Sequence, residues 1–203
     1  MRPSMMVCQR RSLRRLLRDG MSDCRGIAAT EFAFIVPLML VLFFGTVEFC
    51  SAIAVDRKVT LMARTLSDLT SQSIQVGDAD VAGFFAASTS ILYPYDKTPV
   101  NSTITELYVD PNTHKAVVRW SKGSAPHLPF GSTLTSVVTG SSTAPIPTAL
   151  LVDDTYLILS EVSYNYIPTV GYVMGKAGVN LAGYAFTRPR QQKCVFYSPS
   201  QAC

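Results

Sequence analysis

The side chains that most often do chemistry in proteins are sparse in this sequence. The chain of 203 residues has two histidines, His114 and His127, and neither has a second His or Cys at the spacing of a metal site. The nucleophile elbow, the zinc-protease helix motif, the phosphate-binding loop and the dinucleotide-binding glycine pattern are absent. The pair Asp153-Asp154 has the oxygen ligands of a cation site, but adjacent loop carboxylates are more often simply solvated. The sequence therefore predicts no catalytic residue, no metal site and no cofactor.

One spacing indicates a different kind of chemistry, at the start of a long apolar run. Gly26 is followed by four residues and then by Glu31 and Phe32, and the next charged residue is Glu48. A carboxylate within hydrocarbon is costly, at least about 2.5 kcal/mol at mid-membrane by insertion scales, unless a cation offsets it. The position of Glu31, at the start of the apolar run, therefore needs an explanation.

The apolar run has the length of a membrane-spanning helix. Residues 32–47 contain no charged residue, and the stretch 27–55 is interrupted only by Glu31 and Glu48. The distance between these two carboxylates along a helix axis is about 25 Å, against a hydrocarbon core of about 30 Å. A cleaved secretory signal has a shorter apolar core, of about 7–15 residues. The sequence therefore predicts a retained transmembrane helix over residues 27–55.

The charge of the chain is concentrated before this helix. Residues 1–26 contain seven Arg and two Asp, whereas the remaining 177 residues contain eleven Lys or Arg and twelve Asp or Glu. Basic residues beside a membrane span mark its cytoplasmic side. Binding of nucleic acid by the basic arm is the alternative. We predict residues 1–26 as a cytoplasmic leader, with no nucleic-acid partner.

Beyond the span, the same helix is predicted to continue with one apolar face. Positions 52, 55, 59, 62, 66 and 69 are Ala, Val, Val, Met, Leu and Leu, and steps of three and four place them on one stripe. Residues 56–76 are therefore predicted as an amphipathic continuation of the helix. The stripe is expected to pack on the protein's own sheet, on neighbouring subunits, or on both at different heights.

Residues 77–203 are predicted to form an external domain. The pattern indicates, in order, a short helix capped by Asp80, a β-hairpin, a polar surface loop and two strands, over 80–92, 102–123, 123–148, 155–168 and 178–189. Because no helical crossover separates the last strands, the sheet should be mainly antiparallel. The predicted fold class is α+β: a long N-terminal helix, membrane-spanning and then amphipathic, packed on a small and mainly antiparallel sheet.

Two cysteines lie near the end of the predicted external domain. Cys194 and Cys203 are separated by eight residues, and disulfides persist outside the cytoplasm. A disulfide that closes this small loop is expected to contribute about 2–3 kcal/mol in the chain-entropy account. Two unpaired thiols are the alternative.

Glu48 stands at the outer end of the apolar run, where the amphipathic stripe begins. Seventeen residues at about 100° each place it roughly 100° around the helix from Glu31, so the two carboxylates do not form one site. Glu48 is therefore predicted as a candidate second interface, either an anchor at the membrane surface or a contact with another subunit.

The N-terminal pattern resembles a known family. The phrase GIAATEFAFIVPLMLVLFFGTVEF is similar to the start of TadE/TadG-like pseudopilins of the tight-adherence (Flp) pilus system, whose processing site is Gly, four residues, then Glu-Tyr or Glu-Phe. The later EVSYNYIP and the RPR at 188–190 also resemble that family, and the middle of the chain does not. The TadE-like side is favoured because TadG-like members often carry a much larger external domain.

The resemblance implies a pilin-like fold and a cleavage. A membrane-embedded prepilin peptidase would cut between Gly26 and Ile27, leaving Glu31 and Phe32 for docking between subunits. The new α-amino group would have a reference pKa near 7.7–8.0 and would offset the charge of Glu31 within one chain or between two. The alternative is that Glu31 simply lies at the membrane interface near a helix N-terminus.

The resemblance also implies a place and partners. The chain would sit in the bacterial inner membrane, with a cytoplasmic N-terminus and a periplasmic domain, beside other pseudopilins or pilins and the Tad inner-membrane platform. It departs from a major Flp pilin in its long leader and larger external body, which favours a minor or accessory component in or beneath the pilus. The rival interpretation is an uncleaved membrane-tethered adhesin or envelope-binding protein, with its ligand at the sheet or the 123–148 loop. A membrane-anchored enzyme lacks any catalytic constellation in this sequence.

Overall fold

The computed structural model describes residues 26–98, 100–124, 128–139, 142–168 and 178–198. The chain divides into two compact units, Met1–Thr46 and Val47–Cys203. Helix α1 (Ile27–Ser71) begins in the first unit and ends in the second.

In the first unit, α1 presents apolar side chains to its surroundings on every side. The four successive residues Leu38, Met39, Leu40 and Val41 are all exposed, and at about 100° each they cover the full turn of the helix. The helix is long and apolar enough to cross a membrane, and no residue of its most apolar 18-residue window is buried. A helix that is apolar all round requires an apolar environment, which this part of the chain does not itself supply.

The second unit combines the end of α1 with a second helix and a sheet. Its further elements are α2 (Asp78–Thr89), β1 (Gln75–Val76), β2 (Val100–Asp110), β3 (Lys115–Gly123), β4 (Thr133–Leu134), β5 (Ser136–Thr139), β6 (Ser142–Pro145), β7 (Tyr156–Tyr166), β8 (Val179–Thr187) and β9 (Phe196–Tyr197), with short 3₁₀ turns at Ser90–Leu92 and Thr148–Leu150. The main sheet has the order β4-β3-β2-β7-β8 and is antiparallel throughout. Strands β5 and β6 form a separate hairpin, and β1 pairs in parallel with β9. The predicted α+β fold class, with a long helix packed on an antiparallel sheet, is confirmed.

One face of the sheet packs against the amphipathic part of α1. The side chains of the stripe from Ala52 to Leu66 are buried, namely Ala52, Val55, Val59, Met62 and Leu66. They meet alternate residues of the sheet, including Ile104, Ile158 and Val162. Burial of one such aliphatic side chain contributes about 1.5–3 kcal/mol, so this contact is the main source of stability in the unit.

The helix and sheet come closest at Gly183. A β-carbon at this position would lie 3.0 Å from Thr60 Cα and 3.2 Å from Thr60 N, which are backbone atoms that cannot move away cheaply. Two hydroxyl groups also bridge the contact, because Ser160 Oγ donates to the Ala63 carbonyl and Thr187 Oγ1 donates to the Ser67 carbonyl, at 2.5 and 3.0 Å. The position of α1 on the sheet is therefore fixed by both shape and hydrogen bonding.

The opposite face of the sheet is covered by the segment between β3 and β7. Val137 and Ile146 are buried there against Leu107, Val118 and Leu157. The prediction of a polar surface loop over 123–148 is therefore wrong in part, since the segment forms β4, β5 and β6 and contributes to a second core. Its few apolar residues are spread among Gly, Ser, Thr and Pro, which conceals them in a compositional analysis.

The start of α2 also differs from the prediction. The helix begins at Asp78 after an N-cap at Gly77, so Asp80 is not the cap residue. The Asp80 carboxylate instead accepts a hydrogen bond from Gly77 N at 2.8 Å, which satisfies a donor just outside the first turn.

One carboxylate of β2 is buried in the core beside a β-bulge. The register between β2 and β3 shifts at Glu106/Leu107, and both Glu106 and its partner Trp120 face the α1 side of the sheet. Val195 N donates to Glu106 Oε1 at 2.6 Å, and Trp120 Nε1 donates to the Val195 carbonyl at 2.9 Å. The C-terminal segment is thereby held against the sheet just before β9.

Burial raises the pKa of Glu106 to about 7, against an ordinary value of 4.5, although its hydrogen bonds with Val195 and Trp120 and the charge of Arg119 oppose the rise. The folded protein therefore retains a proton that the unfolded chain releases between these pH values. The contribution of Glu106 to stability is fully present below about pH 4.5 and is lost as the pH rises through about 7.

The first prediction concerns this pH dependence. In the native protein, the free energy of unfolding should fall by up to roughly 3 kcal/mol between pH 4.5 and 7, since each pH unit of pKa difference corresponds to about 1.36 kcal/mol. Glu106→Gln should abolish this fall, because the amide does not titrate. Denaturant melts of the full chain in detergent at several pH values measure it. Asp56→Asn, which removes an exposed carboxylate, is the control. An unchanged pH profile in the Glu106 variant would contradict the assignment.

The second prediction concerns the close approach of helix and sheet. Gly183→Ala should lower the free energy of unfolding by about 1–3 kcal/mol, because the added methyl group presses on the Thr60 backbone. Gly83→Ala is the matched control, since a β-carbon at Gly83 in α2 meets nothing within 4 Å and should raise stability by up to about 1 kcal/mol. Equal effects of the two changes in thermal melts would count against this packing.

Candidate functional site

Gly26 precedes the first residue of α1 and is exposed. A β-carbon added at Gly26 would meet nothing within 4 Å. The fold of the described chain therefore does not require a glycine at this position. If the position does require glycine, the requirement comes from whatever recognises this segment and not from packing within the protein.

The residues after Gly26 form the first turns of α1 and are exposed. Ile27 and Glu31 stand one helical turn apart on the same face, and Phe32 is also exposed. Among the described residues, Glu31 has no hydrogen bond or ion pair, whereas Thr30 Oγ1 donates to the Ile27 carbonyl at 2.8 Å. The structure thus brings Ile27 and Glu31 together on one surface and leaves the Glu31 carboxylate available to a partner.

Glu48 lies in a contrasting environment. Its side chain is only 3% exposed, and neither carboxylate oxygen has a hydrogen-bond partner among the described residues. The nearby Tyr166 is hydrogen-bonded to Ser51, and burial, followed by the charges of neighbouring groups that include Glu48, raises the pKa of Tyr166. A carboxylate buried without donors is a costly arrangement in a folded protein.

The cation nearest to this region along the helix is engaged elsewhere. Lys58 Nζ donates to the Tyr93 carbonyl at 2.5 Å and lies 5.3 Å from the centroid of the Tyr95 ring. The Tyr95 ring in turn packs edge-on against Tyr166. Lys58 therefore stabilises the aromatic cluster and forms no ion pair with Glu48.

The residues that first suggested metal or acid–base chemistry form ordinary surface contacts. His114 Nδ1 lies 2.6 Å from Asp153 Oδ1, while Asp154 accepts hydrogen bonds from Lys193 Nζ at 2.7 Å and from Tyr108 at 3.2 Å. The hydrogen bond from Lys193 holds the pKa of the Asp154 carboxyl below its usual range. Across the ranges that the structure describes, no three His, Cys, Asp or Glu residues are grouped as metal ligands. His127 lies outside the described residues.

The cysteines are divided between the surface and the core. Cys50 is an exposed free thiol on α1, whereas Cys194 is buried and disulfide-bonded. Cys203 lies outside the described residues, so the pairing of Cys194 with Cys203 stays a prediction.

Sequence reasoning missed two features of this region. The burial of Glu48 was not predicted, although its position one turn before Ala52 at the head of the apolar stripe is the signal that could have indicated it. Glu106 was also missed, although its alternation with Ile104 and Tyr108 in the hairpin places it on an apolar face.

These observations define a class of protein. An unburied apolar helix that continues into a helix-on-sheet domain is typical of a membrane-anchored α+β protein with its folded part beside the membrane. Residues 26–66 match the family model described as TadE-like protein. This segment is a TadE-like domain, as the sequence resemblance predicted, and it supports a membrane-anchored component associated with a Tad pilus. No curated protein and no solved structure matches the chain.

The third prediction concerns the buried carboxylate. Glu48→Gln should raise the free energy of unfolding by about 1–3 kcal/mol, because an amide is less costly to bury without partners than a carboxylate. Glu31→Gln is the control, since Glu31 is exposed and its change should leave the melting temperature within experimental error. Thermal melts of the full chain in detergent compare the two. A loss of stability in the Glu48 variant would show that its carboxylate is satisfied in the folded chain.

Proposed function

We propose that this protein is a minor pseudopilin, a non-enzymatic accessory component in the assembly of a Tad (Flp) type IV pilus. A prepilin peptidase cleaves it after Gly26, and α1 anchors it in the bacterial inner membrane. The basic leader faces the cytoplasm, and the domain that follows the span lies in the periplasm. Its other partners are further pseudopilins or pilins and the inner-membrane platform of the pilus system.

The observation that carries this proposal is the exposed start of α1 within a TadE-like domain. Gly26, Ile27 and Glu31 stand free at the end of a helix that is unburied over its apolar length. A peptidase needs access to the bond that it cuts, and Gly26 and Ile27 are exposed with respect to the residues that the structure describes. The glycine has no packing role, which leaves recognition by the peptidase as its reason.

Cleavage would supply the positive partner that Glu31 lacks. Removal of the leader leaves an α-amino group on Ile27, which is charged in a large fraction of molecules at neutral pH because its reference pKa is about 7.7–8.0. Positions four apart on a helix are neighbours, so the amine and carboxylate of one chain can pair. The same groups on adjacent subunits can pair as well, and Phe32 provides an apolar contact beside them.

The proposed domain boundaries follow from this function. The leader comprises residues 1–26, the transmembrane segment 27–55, the amphipathic continuation 56–76 and the external domain 77–203. The external domain is an α+β body with two cores. It is large enough to bind other subunits, whereas a major Flp pilin is little more than a helix.

The fourth prediction tests cleavage and docking separately. Mass spectrometry of the protein from its native host should find a mature N-terminus at Ile27. Gly26→Leu should leave only the longer precursor, because the peptidase no longer recognises the site, without lowering the melting temperature. Gly83→Leu, at another glycine with open space around its α-carbon, is the control and should be processed normally.

The docking role is tested with Glu31→Ala in the same host. We expect normal cleavage and a loss of pili seen by electron microscopy, with partial recovery in Glu31→Asp, which keeps the carboxylate. An intact N-terminus at Met1 in a host with an active prepilin peptidase would overturn the proposal. Indifference of pilus formation to both Gly26 and Glu31 would instead favour an uncleaved adhesin or envelope-binding protein.

A further inference from the structure

Glu48 has the properties of one half of an ion pair. Its carboxylate is removed from water and lacks any donor among the described residues. Burial of a charge is offset when an opposite charge with matching hydrogen-bond geometry is supplied. Among the residues that the structure describes, none supplies that charge to Glu48.

The outer face of α1 carries a matching cation. Arg57 is exposed and forms no ion pair with any residue that the structure describes. One turn before and one turn after it stand Ile53 and Leu61, which are 40% and 52% exposed. We call Ile53, Arg57 and Leu61 the outer stripe, since it is an exposed guanidinium flanked by two partly exposed apolar side chains.

The spacing of the two groups is the third observation. Glu48 and Arg57 are nine residues apart, and nine steps of about 100° place them on opposite sides of the helix. The corresponding axial distance is about 13 Å. One face of the helix thus presents the acid and the opposite face presents the base, at different heights.

We propose that copies of this chain stack through a front-to-back contact in which Glu48 of one copy binds Arg57 of the next. The two helices are parallel and offset along their axes by about 13 Å. A guanidinium offers five donors in a planar fork and can bind both carboxylate oxygens, and Ile53 and Leu61 exclude water around the pair. The contact is therefore one of opposite charges within an apolar border.

The carboxylate can reach this partner without unfolding of the domain. Val47 and Phe49, on either side of Glu48 in the sequence, are 47% and 59% exposed, so the helix is accessible at this height. Pairing requires the Glu48 side chain to turn about its own torsions, from beside Tyr166 toward that surface. The gain from pairing opposes the cost of the rotation.

A contact of this kind does not close on itself. The patch around Glu48 and the outer stripe are different surfaces, so each copy that binds one neighbour still offers the other surface to the next. The offset along the helix axis makes the row advance with each copy. The inference rests on the proposed function only in that all copies share one direction in the membrane, and it requires neither cleavage nor Glu31.

The fifth prediction tests this pair by exchanging its charges. Energy transfer between donor and acceptor proteins fused to the C-termini of full-length copies, expressed together in one bacterium, measures self-association. Glu48→Gln and Arg57→Glu should each lower it by at least roughly tenfold. Arg64→Glu is the matched control, because Arg64 is exposed two turns further on nearly the same face and should have little effect.

A double exchange makes the test specific. Glu48→Lys combined with Arg57→Glu in one chain should restore self-association, since every contact then has the two charges reversed. A mixture of copies that carry one change each should also associate, with the two kinds alternating, because both contacts between unlike copies join opposite charges, whereas neither kind should associate with itself. A purely structural role of either residue would give neither result.

Several outcomes would overturn the inference. Self-association that is unchanged in Arg57→Glu would overturn it, because this exposed position can be changed without risk to the fold. The inference would also be overturned if the chain with both charges exchanged has the melting temperature of the native protein and still fails to associate. Gly26→Leu separates the two proposals, because it changes the processing site and leaves both members of the pair in place. If Gly26→Leu is still cleaved and self-association responds to the charge changes as expected, only the proposed function fails. If Gly26→Leu blocks cleavage and the charge changes leave self-association unaltered, only this pair fails.

Discussion

The packing of the amphipathic part of α1 on the sheet is the contact on which the second unit depends. It buries the aliphatic stripe from Ala52 to Leu66 and sets the height of the helix through Gly183, where no side chain fits between the two backbones. The same contact determines which faces of α1 remain available. Glu48 becomes buried because it lies at the head of the packed stripe, and Arg57 stays exposed because it lies on the opposite side.

Three glutamates show how environment assigns different roles to one side chain. Glu31 is exposed and without a partner, and in our proposal it meets an amine that cleavage creates. Glu106 is buried but accepts a hydrogen bond from Val195, so it joins the C-terminal segment to the sheet. Glu48 is buried and has no donor among the described residues, an arrangement that is costly unless another interaction compensates.

The molecule is organised for contact with other molecules. Its histidines, paired aspartates and tyrosines, where the structure describes them, take part in ion pairs and sheet packing. The two exposed regions that stand out, the start of α1 and the outer stripe, belong to one helix. Both of our proposals therefore place the contacts between subunits on this helix.

The sequence by itself determined the long helix, the amphipathic stripe, the hairpin and the two later strands. Each of these depends on local periodicity, at 3.6 residues for a helix and 2 for a strand, which neighbouring residues encode directly. It also contains the Gly26 to Glu31 pattern, which in our proposal a peptidase recognises. The TadE-like match over 26–66 agrees with it.

The tertiary structure alone decided the features that depend on residues distant in the chain. The segment after β3 covers the second face because Val137 and Ile146 find apolar partners on β2, β3 and β7, and its composition gives no sign of this. The β-bulge at Glu106 depends on how β2 and β3 pair. The hydrogen bond from Val195 to Glu106 joins positions 89 residues apart. Whether a carboxylate such as Glu48 is solvated or buried depends on what packs beside it, and local sequence does not contain that information.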